Sequence, residues 1–112
     1  MKVYNMVSAK GNKVPNQFII QDGERVTFQS YDSTIVTIDY DKKTVTVGRN
    51  WDYSRTTGKY RNYFMQEYLH DMRNTDEFRK ALNTGKATMY RGAISGSVAG
   101  MYEFKVVKAW EV

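Results

Sequence analysis

A chain of 112 residues, 41% hydrophobic and 26% charged, has the composition of one folded domain over residues 1–112 and excludes a disordered tail or a multidomain enzyme. With no cysteine and a single histidine it excludes disulfide scaffolds, cysteine-bound zinc or iron and multi-histidine centres, so neither metal nor cofactor is expected. The net charge of +5 is spread out: residues 1–56 hold eight basic and six acidic side chains and residues 57–112 nine and six, so no basic arm exists, and a binding role is favoured over catalysis.

The first fifty residues alternate with a period of two and read as strands. Val3 to Val7 is a weak strand, followed by a polar connection from Ser8 to Asn16 that holds the only proline, Pro15. Phe18 to Gln21 and Arg25 to Gln29 flank Asp22-Gly23, a pair suited to a tight hairpin turn. Thr34 to Tyr40 and Thr44 to Val47 form a second hairpin across Asp41-Lys42-Lys43.

From Thr57 the period changes. Phe64, Met65, Tyr68, Leu69 and Met72 fall on one side of a helical wheel, with Lys59, Asn62, Tyr63, Gln66, His70 and Arg73 opposite, which predicts an amphipathic helix over 58–72. A second helix is expected from Thr75 as N-cap, with Asp76 and Glu77 in its first turn, Phe78 and Leu82 on its buried side and Asn83 or Gly85 as its stop. Strands Ala87 to Arg91 and Met101 to Trp110 close the chain. Gly92 to Gly100 lacks the spacing and the Lys-Ser/Thr ending of a phosphate loop and reads as a flexible connection. The expected fold is α+β: an antiparallel sheet of hairpins packed against one amphipathic helix, with a second short helix and C-terminal strands. No apolar run opens the sequence, so neither secretion nor a membrane span is expected.

Arg49 to Tyr63 is the densest stretch, with Arg49, Arg55, Lys59 and Arg61 set among Trp51, Tyr53, Tyr60 and Tyr63 against one acid, Asp52. The first helix therefore opens with cations around its free N–H groups, against the preference of the helix dipole, whereas the second opens with acids. Such a start, with Gly58 permitting close backbone approach, is chemically an anion site; the plainer alternative has these side chains simply reaching solvent. Trp51, at a strand-to-helix corner, suits core closure, which leaves Tyr53 and Tyr63 as the better surface rings. The candidate binding residues are Arg49, Tyr53, Arg55, Lys59, Arg61 and Tyr63. His70, beside Glu67 and Asp71, is the only obvious general base, and no catalytic role is expected of it.

The run QFIIQDGERVTFQSYDSTIVTID followed by WDYSRTTGKYRN resembles a family of small uncharacterised proteins carried by phages, plasmids and other mobile elements of bacteria. The likeness spans about Gly11 to Leu69. It implies a compact α+β domain working in the cytoplasm of a host bacterial cell, and it supplies no catalytic residue. Two functions of different class follow as expectations. One is a phage or mobile-element accessory protein that inhibits a host defence effector by stoichiometric binding, in the manner of anti-CRISPR proteins; its basic charge disfavours DNA mimicry and favours an acidic protein surface, a nucleic acid held by that effector or a nucleotide signal. The other is a basic nucleic-acid-binding module with phosphate contacts from Arg49, Arg55, Lys59 and Arg61 and stacking from Tyr53 or Tyr63. The aromatic C-terminal strand, if it lies at a sheet edge, offers a route to a homodimer.

Overall fold

The computed structural model describes residues 1–68, 71–91 and 100–111. Seven strands, β1 (Lys2–Val7), β2 (Lys13–Asp22), β3 (Arg25–Ser30), β4 (Ser33–Asp39), β5 (Thr44–Val47), β6 (Lys86–Arg91) and β7 (Gly100–Lys108), form one sheet in the order β1-β2-β3-β4-β5-β7-β6. Two helices, α1 (Arg55–Tyr68) and α2 (Thr75–Thr84), lie between β5 and β6 in the chain. The fold is α+β and mostly antiparallel. Among the described residues only the β5–β7 pair is parallel, because α1, α2 and β6 supply the long connection that parallel strands need.

The two faces of the sheet follow from the alternation. Ile19, Val26, Phe28, Val36, Ile38, Val45, Val47, Phe104 and Val106 are buried on one face, with Phe64 and Met65 of α1 and Phe78, Ala81 and Leu82 of α2 packed in the same core. Phe28 and Phe64 stack at 5.8 Å, which fixes α1 on the middle of the sheet. On the other face Ile20, Thr27, Thr37, Thr46 and Val107 stand in one cross-strand row, and the Thr27 and Thr37 hydroxyls are 2.9 Å apart. A register shift after Phe28 lets Val36 pair with it while the extra residue, Ile35, is also buried.

Several boundaries differ from expectation, each for a local reason. The strand expected from Phe18 begins at Lys13 and contains Pro15; pairing with β3 starts only at Gln17, so no β3 bond asks for the missing proline N–H. The Asp22–Arg25 pairing makes Gly23-Glu24 the hairpin centre, one residue later than expected, with Gly23 at φ 61°. Helix α1 starts at Arg55 rather than Gly58, because the Ser54 hydroxyl accepts from the Thr57 N–H at 3.2 Å and caps it. Met72 lies beyond the end of α1 yet is wholly buried; Leu69 and His70 lie outside the described residues. Asn74, not Thr75, caps α2, its Oδ1 accepting from the Glu77 N–H at 2.9 Å, and Gly85 closes the helix at φ 74°.

Strand β7 bonds to β6 over residues 100–105 and to β5 over residues 105–108, so the outer strands are β1 and β6. Self-pairing through a C-terminal edge strand finds no outer edge there. Trp110 has left the strand for a short 3₁₀ turn, Ala109–Glu111. The glycine-rich stretch expected to be flexible falls largely outside the described residues. Among the described residues no helix is long and apolar enough to cross a membrane.

Candidate functional site

The chain leaves β5 through Gly48 and turns into α1 at Ser54. Gly48 is required at this corner: its N–H donates to the Ile35 carbonyl at 2.8 Å, and a Cβ there would overlap the Thr34 carbonyl oxygen. The corner presents Trp51, Asp52 and Tyr53 to the start of α1, where the sequence concentrates its cations.

The structure divides the six candidate residues. Arg55, Lys59 and Tyr63 recur at four-residue spacing, so they share one side of α1, and all three are exposed. The Lys59 ammonium lies 5.3 Å from the centre of the Tyr60 ring and 6.0 Å from that of Tyr63, and the two rings meet edge to face. Arg49 and Tyr53 are exposed on the corner before the helix, Tyr53 at 76% of its surface. Among the described residues Arg49, Arg55 and Lys59 make no ion pair.

Arg61 is the exception, and its assignment to the binding surface is corrected. Its exposure is 0%. The guanidinium donates to the Trp51 carbonyl at 2.8 Å, to Asp52 Oδ1 at 3.3 Å, to Asn62 Oδ1 at 2.9 Å and to the Thr75 hydroxyl at 2.6 Å. Its carbon lies 5.2 Å from the Trp51 ring centre and 5.1 Å from that of Phe78, and those rings stack at 5.0 Å. Burial pushes the Arg61 pKa down, opposed by the hydrogen bond and charge of Asp52. Trp51 is accordingly a partner of the core, as its corner position suggested.

The same cluster consumes features that were assigned to an anion site. Gly58 is buried, and a Cβ on it would lie 3.7 Å from the Arg61 guanidinium, so its bare backbone faces this protein's own cation. Asp52 also receives Arg79 at 3.6 Å, and Arg79 reaches Asp76 at 3.6 Å as well. Nothing local in α2 signals that Arg79 packs beside Asp52. What stays open at the helix start is a shallow hollow of about 640 Å³ lined by Ser54, Arg55, Lys59, Asn62 and neighbours.

A second hollow, about 430 Å³, lies across the start of α1 and takes in Tyr53 and Thr57 together with the β3–β4 turn. There Tyr31 sits at φ 54°, its N–H bonded to the Asn16 carbonyl and its carbonyl receiving the Gln29 amide, with its ring half exposed.

Residues 1–80 match a family model described as a family of unknown function, DUF8033. The chain belongs to the DUF8033 family. No curated protein and no solved structure matches it. The DUF8033 match reaches through Arg79 in α2, so it covers Arg61, every residue that Arg61 bonds and both hollows. Strands β6 and β7 lie beyond it.

Proposed function

We propose that this DUF8033 chain acts by binding and not by catalysis, and that it takes a single-stranded nucleic acid on the surface around the start of α1. One observation carries the reading: Arg49, Arg55 and Lys59 stand exposed and free of carboxylate partners among the described residues, beside the exposed rings of Tyr53 and Tyr63, while the neighbouring Arg61 is spent on the core. Cations follow a phosphate backbone and rings stack on bases without needing a particular sequence. The phage and mobile-element setting implied by the WDYSRTTGKYRN likeness extends this. In the cytoplasm of a bacterial host, a strand held by a CRISPR effector is the target, and the protein inhibits by occupying it stoichiometrically.

The test is fluorescence anisotropy with labelled single-stranded DNA and RNA across a salt series. Three phosphate contacts predict a log–log slope near −2, at about −0.7 per contact. Arg49→Ala, Arg55→Ala and Lys59→Ala combined should flatten that slope and weaken binding to every sequence alike. A salt-independent affinity, or undiminished binding by the triple variant, rules out the strand reading. Unchanged cleavage by a CRISPR effector in the presence of excess protein, with no co-elution, rules out the inhibitory one.

A further inference from the structure

The cations of the corner and the lining of the second hollow alternate along the chain: Arg49, then Asn50 and Tyr53, then Arg55, then Thr57, then Lys59. The geometry points to that hollow as a pocket for one unstacked nucleobase, preferring guanine, with the neighbouring phosphates of the strand on the exposed cations around the start of α1; this rests on the strand-binding reading above. Three observations and one chemical argument carry it. The volume of about 430 Å³ is of ligand-pocket size. Two rings line it, Tyr31 at 52% exposure and Tyr53 at 76%, and both leave surface on which a base can stack. The lining contains no cation, and its one charged group is Asp32, which makes neither an ion pair nor a hydrogen bond among the described residues; a phosphate is therefore repelled from the hollow itself. Finally, a free carboxylate is an acceptor of two bonds, and the guanine edge offers two adjacent donors, N1–H and N2–H₂, where adenine and the pyrimidines do not present that pair.

The remaining polar atoms suit the same occupant. Asn50 Nδ2 donates to the Ser33 hydroxyl at 3.0 Å, which leaves the Asn50 Oδ1 and the Ser33 proton available to a ligand. Tyr31 is pinned by backbone bonds in the left-handed region, a conformation unusual for a bulky residue, so its backbone is fixed at the rim before any ligand arrives. An organic cation is the other ligand that two tyrosines and a carboxylate suit. The protein's net charge of +5 acts against it and favours a base that carries phosphate.

Two measurements test the pocket. In the first, labelled thymine octamers that are all thymine, or carry one central guanine, inosine or abasic residue, are compared by anisotropy. The guanine strand should bind about tenfold tighter than the all-thymine strand, with inosine in between for want of the N2 amine. Tyr53→Ala and Tyr31→Ala should lower guanine-strand affinity about tenfold at unchanged salt slope, and Asp32→Asn should erase only the guanine preference. In the second, guanosine monophosphate and choline are titrated separately while backbone amide shifts are followed. Shifts at residues 31–33 and 50–57 with the nucleotide support the pocket even if no strand binds, in which case the strand reading alone fails. Salt-dependent strand binding with no base preference and no nucleotide shifts overturns the pocket and keeps the strand reading. Shifts with choline and not the nucleotide overturn the pocket in favour of a cation cage, and silence in both measurements removes both proposals.

Discussion

Arg61 and Trp51 hold each other twice: the guanidinium donates to the Trp51 carbonyl oxygen at 2.8 Å, and its carbon lies 5.2 Å from the centre of the Trp51 ring. The corner that leads from the sheet into α1 is thereby tied to the middle of that helix, and through the Thr75 hydroxyl to the start of α2. A cation that looks like surface charge in the sequence is the joint between sheet corner and both helices.

Removing that joint should be costly. Arg61→Ala leaves the Trp51 carbonyl and the Thr75 hydroxyl without their donor and Asp52 without its closest cation, and a loss of about 3–5 kcal/mol is expected in urea unfolding at constant slope. Arg61→Lys should recover only a minor part, since one ammonium cannot present the planar fork that reaches four acceptors.

Arg55→Ala and Lys59→Ala should behave in the opposite way. Both side chains are exposed and unpaired among the described residues, so each variant should stay within about 0.5 kcal/mol of the parent in stability. Strand affinity should fall and salt dependence weaken. Thermal melts and anisotropy on the same samples separate the structural arginine from the surface cations.

Gly48→Ala should destabilise by about 1–3 kcal/mol, read from the unfolding midpoint. The added methyl meets the Thr34 carbonyl oxygen on backbone that cannot retreat, because Gly48 N–H is bonded to Ile35 in the same strand. Gly23→Ala has open space around the new methyl but keeps a positive φ, so its cost should be about 1 kcal/mol.

Acid should loosen the start of α2. The Arg73 backbone N–H, at 2.9 Å, and then the Arg73 side chain hold the Glu77 carboxyl below the usual glutamate range. A carboxyl with a depressed folded pKa contributes stability that is complete above its unfolded value of about 4.3 and is lost as pH falls through the lower folded value. Glu77→Gln should remove that part of the acid sensitivity, seen as a shallower fall of Tm on acidification. Asn74→Ala, which deletes the cap itself, should cost about 1 kcal/mol at any pH where the protein is folded.

The strands, both helices and the α+β class are legible in the sequence, since alternation, the 3.6-residue period and Gly85 after a helix act over a few residues, whereas the caps Ser54 and Asn74 show only in the folded chain. The candidate site is legible only in part. Arg55, Lys59 and Tyr63 are exposed because they share the outer side of one helix, a relation that spacing states directly. Tyr31 and Asp32 went unnoticed as neighbours of Tyr53, because the β3–β4 turn and the α1 corner are some twenty residues apart in the chain and meet only through the fold.

Composition and periodicity settled that this chain makes a sheet packed against helices and that four of its cations cluster between Arg49 and Arg61, because those properties are sums over neighbouring side chains. Which of the cations leaves water was a matter for the assembled molecule. Arg61 is withdrawn because Trp51, Asp52 and Thr75, ten, nine and fourteen positions away, bring their acceptors to one point, and a buried guanidinium is tolerated only where such acceptors replace its water.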